Sequence, residues 1–416
     1  MPPPPTTRPG ITRGQWLVLI AAFLGWLFDG FEMGLFPLIA RPALKDLLDN
    51  PAEGTVAAWM GYITASFLVG AAFGGLLFGW LGDRIGRVRA MALSILAYSL
   101  FTGSGYFASA PWHLAVFRFV AALGMGGEWA LGVALVMECW PERSRVLLAG
   151  IIGAAANVGF LLVALIAMWL PITQHDWRFM MLIGVLPAAL VFFIRLFVPE
   201  SERWRAAVAA RSAQPLREIF AKGARKNTLL AITFAAVALI GTWGCVEWLP
   251  LWAEQLVGKD HPGEKAFVMV LRSTGAVAGC LVAPVLGARL GRRPAFFLLC
   301  LVSLLLCSVM FRLVTSYGLG FQVMALLVGA AATSFYGWFP LYLPELFATC
   351  VRATGQGLSY NAGRLLAAVG SLGTGALVGC FDGSYPRASA SISLVYAIGM
   401  VVIWWAPETR GRALPD

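Results

Sequence analysis

Apolar runs recur along most of the chain, each near the length that carries an α-helix across a bilayer core about 30 Å thick. Twelve crossings are predicted, over residues 14–40, 57–80, 90–108, 111–140, 147–170, 178–198, 228–252, 266–288, 294–312, 318–343, 354–380 and 388–406. Strands of a membrane barrel would instead alternate apolar and polar positions over about ten residues. These runs do not alternate. The fold class predicted is an all-α membrane protein.

Composition agrees with lipid as the solvent. A soluble protein carries about a quarter charged residues; here 12% are charged and 59% hydrophobic. The net charge is +10, which in a soluble chain would raise nucleic acid as a partner. Placement decides otherwise. Basic residues collect on the side that membrane proteins keep in the cytoplasm: Arg84, Arg87, Arg89, Arg143, Arg145, the 199–227 loop, Arg289, Arg292, Arg293 and Arg352. With the two ends the tally is about 20, against about 6 in the opposite loops. The expectation is a multi-pass protein of the cell inner (plasma) membrane, both termini cytoplasmic, with no nucleic-acid partner. The first apolar run has no cleavage site after it, so it is expected to stay in the membrane. The seven cysteines fall in or beside apolar segments, implying no disulfide framework and no metal site.

The long basic loop separates six runs from six, and the halves repeat. Gly82-Asp83-Arg84-Ile85-Gly86-Arg87 returns as Gly287-Ala288-Arg289-Leu290-Gly291-Arg292, 205 residues on. Glu138 before Arg145 returns as Glu345 before Arg352, 207 residues on. Pro199-Glu200-Ser201 is echoed by Pro407-Glu408-Thr409. Three matches in order at nearly one offset imply two pseudo-symmetric six-helix bundles. The expected organisation is a tail at 1–13, a bundle at 14–198, a linker at 199–227, a second bundle at 228–406 and a tail at 407–416.

These motifs resemble the major facilitator superfamily over essentially the whole chain. Gly79-x-Leu81-Gly82-Asp83-Arg84-x-Gly86-Arg87 is similar to its loop 2–3 signature. Pro199-Glu200-Ser201-x-x-Trp204 and Pro407-Glu408-Thr409-Arg410-Gly411 resemble the sugar-porter and organic-ion branch. Asp29-Gly30-Phe31-Glu32 and Arg118-x5-Gly124-x-Gly126-Gly127-Glu128-Trp129 are similar to aromatic-acid, sialic-acid and metabolite proton symporters. Two positions depart from the pattern. Glu32 stands where the motif has aspartate, and Ala288 replaces the second-half counterpart of Asp83, so a gate built on that acid is one-sided. The fifth run lacks the Gly-Pro signature of antiporters, which points to symport or uniport.

A charge at the bilayer centre costs about 2.5–3.5 kcal/mol on insertion scales, so such residues face a cavity or pair. The predicted crossings hold Asp29, Glu32, Arg118, Glu128, Glu247, Arg272 and Arg364. At about 1.5 Å rise per residue, Glu32 and Arg118 lie about 27 and about 33 Å from the cytoplasmic ends of their helices. The family packs these helices around one cavity. The resemblance therefore implies an Asp29/Glu32–Arg118 cluster for proton coupling; the plain alternative is a static ion pair. Glu128, about 20 Å up the same helix, is either a second proton site or a carboxyl buried at a helix contact.

Arg364, with Asn361 one turn before it, replaces Asn157 of the first half. A basic residue gained in one half only suits an anionic substrate, since guanidinium forks carboxylates. The alternative is neutralisation of a nearby acid. Arg272 is either a substrate contact or snorkels to the interface, and Glu247 is read as exposed in the cavity mouth. Trp243 and Tyr336 are the aromatic substrate candidates. Asp83, Arg84, Arg87, Glu138, Arg145, Glu200, Arg292, Glu345, Arg352 and Glu408 fall at the inner helix ends, where the resemblance implies an ion-pair gate.

The implied activity is proton-coupled symport of a small organic anion, an aromatic or sugar acid, by alternating access. The drive is a proton gradient and not a cofactor; the partners are protons, the lipid bilayer and the anion; the state is a monomer. The rivals are a facilitator of a neutral solute such as a sugar and a non-transporting sensor of the same fold. An enzyme is disfavoured, because His113, His175 and His261 read as outer-loop residues and no metal-ligand cluster is present.

Overall fold

Lipid offers no water to satisfy backbone N–H and C=O groups, so a spanning chain must close its hydrogen bonds within helices. The computed structural model describes residues 11–49, 51–169, 176–210, 214–258, 262–381 and 384–415, and these are helical or connect helices. His175, His261 and most of the expected N-terminal tail lie outside the described residues.

The first half holds α1 (Arg13–Leu47), α2 (Glu53–Ile85), α3 (Arg87–Ser104), α4 (Pro111–Cys139), α5 (Arg145–Trp169), α6 (Trp177–Ile183) and α7 (Pro187–Phe197). Two short helices follow in the connecting loop, α8 (Glu202–Ala210) and α9 (Pro215–Ile219). The second half holds α10 (Arg225–Gly241), α11 (Leu249–Val257), α12 (Pro262–Leu290), α13 (Arg292–Leu313), α14 (Leu319–Thr333), α15 (Phe335–Tyr342), α16 (Arg352–Cys380), α17 (Tyr385–Ile392) and α18 (Val395–Val402).

Among the described residues, ten helical stretches are long and apolar enough to cross a membrane. The sixth and eleventh predicted crossings are carried by α6 with α7 and by α16. The sixth is split into α6 and α7 ahead of Pro187, which lacks the N–H needed to continue a helix. The eleventh, α16, carries Arg352, Gln356, Asn361 and Arg364 on an otherwise apolar and glycine-rich helix. Three further crossings expected as single helices are broken. The seventh passes through a π turn at Thr242–Val246, with Pro250 just beyond. The tenth breaks at Ser334, and the twelfth between Ile392 and Val395. At the other extreme, α1 runs to Leu47, past its predicted end, and there Asp46 accepts from the indole N–H of Trp177 at 3.1 Å and from Arg178 at 2.5 Å.

Two tight turns obey the repeat. Gly86 and Gly291 have φ of +105° and +102°, a region that L side chains rarely enter. Each releases the chain into a new helix, α3 or α13, whose first N–H groups lack internal partners. A distant carboxylate serves them. Glu200 accepts from the N–H of Arg87 and Val88, both at 3.1 Å. Glu408 accepts from Arg292 at 2.9 Å and Arg293 at 3.1 Å. This corrects the expectation that both acids belong to the gate: they cap helices inside their own halves. Burial pushes the Glu200 carboxyl up, with the N–H groups of Ser201, Val88 and Arg87 offsetting only part of it. For Glu408, burial also pushes up, but the N–H groups of Arg292, Arg293 and Arg410 win and hold it below the usual range.

Within the first half α2 and α3 pack on α4, and α1 on α5. Between halves α5 packs on α12 and α15, and α2 on α16. The cavity and the Arg87–Glu138–Arg352 network described next lie along these inter-half contacts.

Candidate functional site

Asp29 and Glu32 are three residues apart on α1, which puts them on one face, a turn apart in height. Helix α4 carries Arg118 and Glu128, separated by about 15 Å along its axis. Arg118 forms a direct, buried ion pair with Glu32. The guanidinium lies 4.4 Å from the Phe36 ring and 4.6 Å from the Phe67 ring. The Thr102 hydroxyl donates to the same Glu32 oxygen at 3.3 Å.

Elsewhere on the same two helices stand Asp29 and Glu128. The ion pair of the expected Asp29/Glu32–Arg118 cluster joins Glu32 and Arg118; Asp29, like Glu128, takes no part in it. Both carboxyls are buried, and neither oxygen of either one has a hydrogen-bond partner. The Tyr98 hydroxyl is buried and unpartnered as well. Glu128 is seated against Gly25 of α1, where any Cβ would collide with its carboxylate.

A central cavity of about 40 Å³ is lined from both halves, and neither Asp29 nor Glu128 is among its lining residues. Trp26, Met33, Asn157 and Phe160 line it from the first half. Trp243, Glu247, Arg272, Tyr336, Tyr360 and Arg364 line it from the second. Arg364 lies 5.0 Å from the Tyr360 ring and donates to Asn361 Oδ1 at 3.2 Å. Asn361 itself does not line the cavity. Its amide N–H groups donate to Gly126 O and Gly357 O, each at 2.9 Å. This corrects its expected place among the substrate contacts: its bonds are spent tying α16 to α4 and orienting Arg364. Arg272 does not snorkel. It is buried, 5.5 Å from the Phe160 ring, and forks Glu247 at 2.6 and 3.1 Å. Trp243 and Tyr336 line the cavity as expected residues of its wall.

The helix ends around Arg87 and Arg292 form ion-pair networks that differ between the two halves. Arg87 donates to Asp83 at 2.7 Å, to Glu138 at 3.1 Å and to the carbonyl of Thr349 in the other half at 2.8 Å. Arg352 crosses over to the same Glu138 oxygen at 3.0 Å. Asp83 reaches the start of α16 and accepts from Thr354 N at 2.8 Å, Thr354 Oγ1 at 2.5 Å and Ala353 N at 3.3 Å. It thus caps a helix of the opposite half, where the helix dipole favours negative charge.

In the second half Ala288 replaces that aspartate. Arg292 consequently takes both oxygens of Glu345, at 2.9 and 2.6 Å, and Thr409 adds a third bond at 2.5 Å. Glu345 is thereby filled from its own half. Arg145, the repeat mate of Arg352, pairs with the neighbouring Glu142 at 3.2 Å. Its Nε and Nη2 are buried without partners. Arg84 also departs from expectation: it is exposed and lies 4.8 Å from the Trp80 ring, away from these networks.

Several contributors were not singled out in the sequence. Thr349, Thr354 and Thr102 are isolated hydroxyl residues whose spacing carries no signal. Trp204 had one, as the last residue of the Pro199-Glu200-Ser201 motif; its indole donates to Asp83 O at 3.0 Å. Tyr360 precedes Arg364 by one turn, which marks it as a ring under the guanidinium.

The Major Facilitator Superfamily model matches residues 18–371. A putative metabolite transport protein of Haemophilus influenzae is 31% identical over 409 residues, covering 96% of this chain and 98% of that one. The cis,cis-muconate transport protein of Acinetobacter baylyi is 29% identical over 388 residues, covering 89% and 91%. The solved proton:xylose symporter XylE superposes with a TM-score of 0.80 at 16% identity, covering 96% and 98%, a likeness of fold alone. The chain belongs to the Major Facilitator Superfamily, has its twelve-helix fold and is a membrane transporter, not an enzyme.

Proposed function

We propose that the chain is a proton-coupled symporter of a small organic anion, acting as a monomer in the inner membrane with both termini cytoplasmic. The observation that carries this reading is the triad of Asp29, Glu128 and Arg364. Two buried carboxyls without hydrogen-bond partners, on α1 and α4, accompany a cavity-lining guanidinium on α16 of the other half. Two carboxyls in one dry site resist being charged together. A proton on the pair frees the field of Arg364 for an incoming carboxylate. Loss of the proton restores Asp29 as the competing anion and expels the substrate. Proton and anion thus favour each other's binding, which is the linkage symport requires.

The similarity to a cis,cis-muconate transporter supports a carboxylate substrate. The excess of basic residues on one side supports the orientation. A neutral sugar fits less well, because the amide of Asn361 is used up inside the protein. The test is thermal stabilisation of the detergent-purified protein by muconate and benzoate against their amides. Ligand at 100 times its dissociation constant adds about 2.7 kcal/mol. The reading expects stabilisation by the acids alone, lost in Arg364→Ala. Equal stabilisation by acids and amides overturns it. Counterflow in vesicles separates a transporter from a sensor.

A further inference from the structure

The cavity contains a second guanidinium that the symport reading leaves unused. Arg272 lies about 15 Å along α12 from its outer end, and Arg364 about 18 Å along α16 from its inner end. Both therefore sit near mid-membrane and line the same space. They differ in their partners. Arg364 donates to a neutral amide oxygen and lies against the Tyr360 ring. Arg272 is held in a two-bond fork by Glu247, at 2.6 and 3.1 Å. A carboxylate is thus already bound to Arg272, in the bidentate geometry that guanidinium favours for any carboxylate.

Exposure tells the two apart further. The Arg272 side chain is 5% exposed and that of Glu247 is 26% exposed. The acid stands on the open side of the pair, in front of the base. It is also carried directly after the π turn at Thr242–Val246, and such turns recur at functional sites. Arg272 keeps one buried N–H, its Nε, with no partner. Phe160 of the opposite half covers the guanidinium at 5.5 Å, so the pair lies on the seam between the halves.

We propose that the cavity is a two-ended site for a dicarboxylate, with Glu247 as the stand-in for the second carboxylate. One end of the substrate forks Arg364. The other displaces Glu247 from Arg272, exchanging one carboxylate–guanidinium pair for another. A monoanion has nothing to exchange and leaves Glu247 in place. Glu247 is therefore a specificity residue. This inference rests on the organic-anion reading of the same cavity and names its substrate class.

Isothermal titration calorimetry with cis,cis-muconate and its monomethyl ester tests it, because the ester keeps the carbon frame and loses one charge. Wild-type protein is expected to bind the dianion at least about tenfold more tightly. Arg272→Gln should erase that preference by weakening the dianion and sparing the ester. Glu247→Gln should do the opposite, tightening the dianion about tenfold by removing the competitor. Equal binding of both ligands to wild type, with both lost in Arg364→Ala, sinks the two-ended site and leaves the anion reading standing. A Glu247→Gln protein that melts lower but binds muconate unchanged makes the pair a plain structural tie, and also overturns the proposal. Binding of neither ligand to wild type removes the organic-anion reading itself, and this inference with it.

Discussion

The guanidinium of Arg352 meets Glu138 of the opposite half at 3.0 Å, with both side chains fully buried. Its repeat mate Arg145 has no such partner and leans on Glu142. Breaking a buried pair by removing one member costs about 3–5 kcal/mol, because the other charge stays behind in a dry site. A half-exposed pair is worth about 0–1 kcal/mol. Arg352→Ala should therefore destabilise the protein several-fold more than Arg145→Ala in free energy. Amide exchange at the start of α16 should accelerate only in the former. Melting and hydrogen exchange on both variants check this; equal losses would mean the asymmetry has no energetic content.

The missing aspartate at 288 is the physical source of that asymmetry. Ala288→Asp offers Arg292 the partner that Asp83 gives Arg87. One oxygen of Glu345 would then be released towards Arg145, the way Glu138 serves Arg352. The variant should favour the inner-closed state and slow transport while raising the melting temperature. Paired uptake and melting measurements read both. A variant that melts lower and transports normally would contradict the exchange of partners.

The two remote caps respond to pH in opposite senses. Glu408 is held below its ordinary value, so its stabilisation is present above that value and lost as pH falls through the folded one. Glu200 is pushed up by burial, so its neutral form is favoured, and stability associated with it declines as pH rises through the folded value. Glu408→Gln should cost more at pH 7 than at pH 4, and Glu200→Gln should cost less than Glu408→Gln at pH 7. Melting temperatures across that range decide; parallel curves for the two variants would refute the difference.

Gly25 leaves room for the Glu128 carboxylate, whose oxygen is the atom a Cβ would strike. That oxygen ends a flexible side chain, so Gly25→Ala should fold with the carboxyl displaced from Asp29. Anion binding should survive within about threefold, while accumulation driven by a pH gradient falls about tenfold. The check is calorimetry beside gradient-driven uptake. Loss of binding equal to the loss of uptake would place Glu128 outside the proton step.

The sequence shows the architecture more plainly than the site. Motifs at Gly82, Glu138 and Pro199 repeat in the second half and mark two related bundles, because each returns at nearly one spacing. Helix depth is enough to bring Glu32 and Arg118 together, and the pair is present. Depth is not enough to separate Asp29 from them, since one helical turn is smaller than the error in where a crossing begins. Glu200 and Glu408 stand at gate positions, but spacing along the chain does not reveal that their acceptors face backbone N–H groups. Asn361 illustrates the same limit: its position beside Arg364 is legible, and the direction of its amide towards Gly126 is not. The breaks in the tenth and twelfth crossings are hidden because apolar composition continues through them, whereas Pro187 and Pro250 stand in the sequence at those in the sixth and seventh.

Uptake of muconate into proteoliposomes with an imposed pH gradient, acid outside, tests the symport account most directly. Wild-type protein should accumulate the anion above its external concentration, and a protonophore should abolish the accumulation. Asp29→Asn and Glu128→Gln should lose accumulation while keeping exchange of internal for external anion. Accumulation indifferent to the gradient, or intact in both carboxyl variants, would contradict the account.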